Sequence, residues 1–269
     1  MIQITAKCVA ASVNSYRQAI HTLELQYPRF IHSEFMTHRV FSRNAASSRA
    51  IPVAKMIQQV RNDPAMPIHW GKNQPGMQAR EEVQHVGNAK DLWVQAANKA
   101  ADQAEFMNAL GLHKQIVNRI LEPYQLMRTI VTSTTWENFL HLRDHPDAQP
   151  EIQALAQAMR VALETEPERL GPDQWHLPYV KASERDLYKR EILLKLSTAR
   201  CARVSYLTHD GAEPDINKDI ELYERLVGSH PIHASPAEHQ ATPSEFADHQ
   251  SGNFVGWIQH RKLIERRLA

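Results

Sequence analysis

Cysteine, glycine, long apolar runs and an excess of either charge are all missing or scarce in this sequence. Its 269 residues hold two cysteines, Cys8 and Cys201. They allow at most one bridge, which excludes a disulfide scaffold and a cysteine-rich zinc module and makes a reducing cytoplasm the expected compartment. Nine glycines leave little room for flexible linkers, and no window is biased enough to mark a boundary, so residues 1–269 read as one domain. No stretch reaches the roughly 18 apolar residues of a membrane span. The opening Met1-Ile2-Gln3-Ile4-Thr5 lacks the basic patch and apolar core of an export signal. Lys and Arg (31) almost balance Asp and Glu (30), for a net charge of +1. Neither nucleic acid nor a membrane is therefore an expected partner, and any anion must be held locally. No glycine-rich phosphate loop and no G-x-S-x-G nucleophile elbow occurs.

What is present is 42% hydrophobic residues, ordinary for a globular chain, and 15 histidines that recur beside arginines and carboxylates. Alternation over residues 19–25 predicts a strand. Pro28 then opens a helix in which Ile31, Phe35 and His38 form a stripe, with Glu34 and His38 on a neighbouring face. Residues 42–49 read as a loop, and Pro52 restarts a helix with Val53, Met56 and Val60 that ends before Pro64. A Pro- and Trp-containing surface excursion is expected at 65–76. A long helical region follows over 78–110, with Gly87 as a candidate break, and a further helix over 111–121. The β-branched run 127–136 predicts a strand, and Ile152, Leu155, Met159 and Leu163 mark an amphipathic helix. A strand at 202–206, a helix at 216–227 and a last helix from residue 254 complete the expectation. One echo stands out: Ala6-Lys7-Cys8-Val9-Ala10-Ala11-Ser12 against Ala199-Arg200-Cys201-Ala202-Arg203-Val204-Ser205. Each copy is followed by a His-Arg pair, His38-Arg39 and His260-Arg261, but seven residues do not establish a duplication.

Three clusters carry chemistry. In His38-Arg39-Val40-Phe41-Ser42-Arg43-Asn44-Ala45-Ala46-Ser47-Ser48-Arg49, guanidinium forks alternate with hydroxyl and amide donors. The two alanines keep bulk away, which makes a polyanion cradle or else a solvated basic loop. Trp136-Glu137-Asn138-Phe139-Leu140-His141-Leu142-Arg143 places an arginine among apolar residues. An unpaired charge there is costly, so Arg143 needs an internal carboxylate or a ligand. Third, His233-Ala234-Ser235-Pro236-Ala237-Glu238-His239 has the pattern of a capping box, with Ser235 as N-cap. It lacks the His-Glu-x-x-His spacing and thiolates of a zinc site, so no metal is expected.

Together these clusters resemble the flavin-dependent thymidylate synthases, in the variant form common in viruses of bacteria. The family signature of Arg-His-Arg, seven residues and Ser is matched by Thr37-His38-Arg39 and Ser47, with Asn44 and Arg49 in place. Asn138-Phe139-Leu140-His141-Leu142-Arg143 and His233-Ala234-Ser235-Pro236-Ala237-Glu238-His239 resemble two more motifs, and Arg119-Ile120-Leu121-Glu122-Pro123 a fourth. Thr37 replaces the signature's first arginine, Ala45 an acidic residue, and Glu34 stands where glutamine is common. The third motif follows the signature instead of preceding it, as in a permuted relative.

The resemblance implies an α/β (α+β) fold with a mixed central sheet and long helices. It also implies an enzyme that moves a one-carbon unit from methylenetetrahydrofolate to carbon 5 of dUMP, with FAD and NADPH supplying the reduction to dTMP. By the same resemblance His38, Arg39, Asn138, His233, Ser235 and Glu238 contact FAD. Glu34, Ser47, Arg49, Arg119 and Arg143 contact the nucleotide, with Arg143 and Ser47 as catalytic residues. Relatives are homotetramers. Two alternatives stay open: the same chemistry on dCMP, including hydroxymethylation, and a non-catalytic flavin- or nucleotide-binding relative. Cys8 and Cys201 sit in apolar, strand-like contexts without the motif of an activated thiol, which favours flavin chemistry over cysteine addition.

Overall fold

The computed structural model describes residues 3–204 and 215–268. Its centre is a five-stranded sheet in the order β3-β4-β2-β1-β5, from β1 (Thr5–Val13), β2 (Ala19–Pro28), β3 (Ser42–Ala45), β4 (Leu126–Ser133) and β5 (Glu168–Arg169). All pairs are antiparallel except β1 with β5, so the sheet is mixed and the fold α/β. Register settles which side chains go where, because successive residues of a strand face opposite ways. Leu23 lies opposite Val131 and Tyr27 opposite Met127, and these enter one apolar core with Leu25, Phe35, Phe41 and Phe139. Over it pack α1 (His32–Phe35), α5 (Glu137–Arg143) and α6 (Pro150–Ala162), which buries Ile152, Leu155 and Met159. Thr22 lies opposite Thr132 on the other face, where α8 (Arg190–Arg203) brings Cys201 against Ile130.

A second apolar cluster joins α2 (Val53–Asn62) to α3 (Val86–Ala109). Ala97, Ala101 and Ala104, at helical spacing, let the two helices approach closely. Gly111, with φ of +82°, turns the chain out of α3, and α4 (Lys114–Val117) and a 3-10 turn over Asn118–Tyr124 follow. α7 (Ala182–Leu187), α8 and α9 (Ile216–Val227) enclose a buried ion cluster. There Arg200, 2% exposed, meets Glu184 at 2.6 Å and Asp219 at 2.9 Å. The C-terminal part adds β6 (Ala241–Pro243), β7 (Gln250–Ser251), β8 (Phe254–Val255), β9 (Trp257–Gln259) and α10 (His260–Leu268). Among the described residues no helix is long and apolar enough to cross a membrane.

Several expectations are corrected. Residues 42–45 are a strand, because β4 offers an open ladder for them to join. The helix after Pro28 is a 3-10 turn and the short α1, which stops at Phe35. Its stripe is nonetheless buried at Ile31, Phe35 and His38. Gly87 lies inside the first turn of α3 and does not break it, and that helix begins at Val86 instead of residue 78. Residues 202 and 203 are the last of α8 and Val204 is its C-cap, so no strand forms there, while 205 and 206 lie outside the described residues. Residues 254–259 form strands, and the last helix starts at His260. The echo pairs a strand, β1, with a helix, α8, and so reflects no structural repeat; Cys201 is helical, not strand-like.

A buried hydrogen-bonded chain crosses the sheet. Ser12 Oγ lies 2.9 Å from His176 Nδ1, and His176 Nε2 lies 2.8 Å from Thr22 Oγ1. Thr22 Oγ1 is 2.7 Å from Thr132 Oγ1, which is 2.8 Å from His239 Nδ1. Burial holds both imidazoles down to about 3, so they are neutral. Unfolded histidines take up protons below about 6.5, whereas these do not until about 3. Their contribution to stability is thus complete above about pH 6.5 and is lost as pH falls from there towards 3. The urea midpoint should drop between pH 7.5 and 4.5, and His176→Gln should flatten that slope by up to about 1.4 kcal/mol per pH unit. Equal slopes in the two proteins would contradict the assignment.

Candidate functional site

Arg143 ends α5 beside Phe139 and meets the partners its burial requires. Its Nη1 donates to Glu34 Oε1 at 2.5 Å and its Nε donates to His38 Nε2 at 2.9 Å. The internal carboxylate that the apolar neighbourhood demanded is therefore Glu34, from α1. Burial, then Arg143 and then Arg43, holds His38 down to about 4, so its ring is neutral and free to accept. The ring is fixed edge-on to Phe139 at a centroid distance of 4.8 Å. Arg43, on β3, donates to the carbonyls of Phe35, Met36 and His38, closing the end of α1 that lacks helical partners. Glu34, His38 and Arg143 thus form one bonded unit, and Glu34 and Arg143 face a cleft of 1120 Å³.

The far wall of that cleft is the excursion placed at 65–76, which is longer than expected. Val83 N–H donates to Trp70 O at 2.9 Å, Lys72 N–H to Glu81 O at 2.6 Å, and Gly71 bridges Glu82. This hairpin-like segment is pinned to the start of α6, where Gln78 Nε2 donates to Asp147 O and Ile68 N–H to Glu151 Oε1. Phe30, Trp93 and Met77 give the cleft its apolar lining. None of these was singled out in sequence, because they come from three separate segments with no shared motif.

Ser47 and Arg49 lie in the turn after β3. Asn118, fully buried, donates to Ser48 O at 2.7 Å and Ile51 O at 3.0 Å and holds that turn against the 3-10 segment carrying Arg119. Arg119 reaches Glu122 at 3.0 Å. Ser47, Arg49 and Arg119 are therefore neighbours through this scaffold, but they do not line the cleft that Arg143 and Glu34 face.

The third motif reaches the same strand from its other side. Ser235–Glu238 is a 3-10 turn with Ala234 as N-cap, so the capping box expected at Ser235 does not form. Glu238 instead pairs with Arg261 of α10. Gln259 Nε2 donates to Ser42 Oγ at 3.2 Å and Glu238 O at 3.3 Å, and His239 is tied to Thr132. Since β3 is an edge strand, α1 with His38 and the turn with Ser235 and Glu238 flank its two faces. Arg39, Asn138, His233 and Ser235 are exposed, and among the described residues none of them makes a side-chain hydrogen bond or ion pair. Gln259, Arg261 and Arg43 were missed as organising residues; Arg261 was visible only as half of a His-Arg pair.

Both thiols are unsuited to nucleophilic attack. Burial pushes Cys201 well above its ordinary value and also raises Cys8.

The family model described as thymidylate synthase complementing protein matches residues 13–166, more than half of the chain. A comparison with curated proteins finds no match. Among solved structures, the chain resembles a UMP/dUMP methylase, PolB, from Streptomyces cacaoi, bound with 5-Br dUMP. The two are 15% identical over 60% of this chain and 89% of that one, with a TM-score of 0.48. It also resembles thymidylate synthase X from Helicobacter pylori with FAD and dUMP, at 16% identity over 54% of this chain and 67% of that one, with a TM-score of 0.37. Likenesses this distant add nothing to the assignment, which the family match carries: the chain belongs to the thymidylate synthase complementing protein family.

Proposed function

We propose that this protein transfers a one-carbon unit from methylenetetrahydrofolate to carbon 5 of dUMP and reduces it to the methyl of dTMP, using FAD and NADPH. The observation that carries this reading is Arg143, held by two acceptors at the wall of a cleft of 1120 Å³. An arginine so fixed leaves its remaining N–H groups aimed outward without reorganisation, the condition for stabilising charge that develops on a pyrimidine carbonyl. His38 contributes as a neutral acceptor, and Glu34 balances the guanidinium charge. Ser47, Arg49 and Arg119 take the nucleotide phosphate, with Ser47 donating its hydroxyl as the second catalytic residue.

FAD fits the chemistry of the residues around β3. Arg39, His233 and Ser235 offer unused polar groups on the two flanks of one edge strand, with His38 and Glu238 in the same two segments, and Asn138 of α5 offers another. When bound, the reduced flavin supplies the hydride that completes the methyl group. The protein's share is to orient, hold and exclude water. On this reading residues 1–269 act as one domain of a cytoplasmic homotetramer of the bacteriophage type, with sites drawing on more than one subunit.

A second reading rests on Glu34. A carboxylate only accepts hydrogen bonds and suits the amino group of cytosine, which favours dCMP methylation or hydroxymethylation at the same site. Parallel turnover of dUMP and dCMP with methylenetetrahydrofolate, read by product mass, separates the two. The preparation should be yellow, bleach under NADPH and recolour in air. A colourless protein that takes up no FAD would leave only a non-catalytic relative. Arg143→Ala should lower kcat by about 100-fold with circular dichroism unchanged, and a kcat within twofold of wild type would remove Arg143 from the chemistry. The Cys8→Ala/Cys201→Ala double variant should keep most of its turnover, whereas complete loss with FAD still bound would point to thiol chemistry.

A further inference from the structure

Glu122 collects more donors than any role assigned so far explains. Its Oε1 accepts from Arg29 Nη2 at 3.0 Å, from Arg119 Nη1 at 3.0 Å and from Ser48 Oγ at 3.3 Å. One carboxylate therefore joins three segments: the 3-10 turn after β2, the turn that carries Ser47 and Arg49, and the 3-10 turn that carries Arg119. The three contacts leave most N–H groups of Arg119, 56% exposed, turned to solvent. Arg49 is exposed as well, and among the described residues it has no side-chain partner. The arrangement is a cationic surface organised around a single anion.

That anion has two opposed effects. As an acceptor it fixes Arg119 and the Ser47–Arg49 turn in place. As a charge it subtracts from the attraction that any phosphate feels. Against Glu122 stand the guanidinium groups of Arg29, Arg49 and Arg119, and Lys114 Nζ, which donates to Ala50 O at 3.2 Å, adds a further cation beside the turn. A phosphate monoester carries about −1.5 to −2 at neutral pH, whereas a triphosphate is longer and more highly charged and brings more negative charge against Glu122.

We propose that Glu122 is a positioning residue that also sets specificity, tuning this cradle to a nucleoside monophosphate and against the triphosphate. The inference rests on the phosphate role proposed above for Ser47, Arg49 and Arg119.

Calorimetric titration of the purified full-length protein with deoxyuridine, dUMP and dUTP tests both layers. In the wild type, dUMP should bind more tightly than deoxyuridine and more tightly than dUTP. Glu122→Gln keeps an acceptor and removes the charge, so dUTP should gain about fivefold over dUMP with deoxyuridine unaffected. Glu122→Ala removes the acceptor too and should weaken dUMP by about tenfold, again sparing deoxyuridine; a merely structural defect would weaken all three ligands alike. A dUTP-to-dUMP ratio unchanged in Glu122→Gln, with dUMP still preferred over deoxyuridine, overturns the role of Glu122 alone. Wild-type protein that binds deoxyuridine as tightly as dUMP overturns the phosphate cradle and the inference together.

Discussion

The Thr132 hydroxyl is the contact on which the arrangement of this molecule turns. It sits on β4, an interior strand of the sheet, bonded to Thr22 on the neighbouring strand and to His239 beyond it. Through it a segment from the far C-terminal part of the chain is anchored to strands formed by the first half. Every member of the chain from Ser12 to His239 is buried, so each must find its partner inside the protein. Neutral imidazole makes this workable, because it accepts on one nitrogen and donates on the other. Protonation would make both nitrogens of His176 donors, one towards the Thr22 hydroxyl already bonded to Thr132, and would place a charge in a fully buried site. The same tie that aligns the third motif is thus the one that acid loosens.

On the opposite face a charge is accommodated rather than avoided. Arg143 is packed beside Phe139, and a guanidinium there without partners would be strongly destabilising. Glu34 offsets its charge and His38 accepts a second N–H, while Arg43 closes the helix end that carries both. A fixed guanidinium is the result, held by two acceptors, one from α1 and one from the turn that follows it. Arg43 takes the carbonyl of the last residue of α1, Phe35, and that of Met36 just beyond, where the chain leaves the helix and turns back to the sheet.

How far sequence could foresee this depends on whether the signal was local. The stripe Ile31, Phe35 and His38 pointed inward as expected, and the need of Arg143 for either a carboxylate or a ligand was readable from its apolar neighbours. The identity of that carboxylate was not, since Glu34 lies 109 residues away. Residues 42–45 read as a loop because serine, arginine and asparagine have weak strand preference, and pairing with β4 overrode it. The Ser235 capping box failed for a related reason: Arg261 claims Glu238 from another element, and a long-range ion pair displaced the local pattern. The cleft wall was the least legible feature, because its residues are brought together only by the hairpin-like segment before α3.

The order of motifs along the chain poses a question that the sheet answers. A segment that follows the signature by nearly two hundred residues contacts the same edge strand that the signature itself forms. An edge strand makes this possible, because it keeps one side of its ladder unpaired and both faces approachable near its rim. α1 occupies one face and the turn at Ser235–Glu238 the other, with Gln259 bridging Glu238 to Ser42. Neither contact requires the two segments to be adjacent in sequence. Only their anchors matter: Phe35 and His38 in the apolar core for one, His239 on Thr132 for the other. Rearranging the chain order therefore leaves the grouping of side chains around β3 intact so long as both anchors are kept.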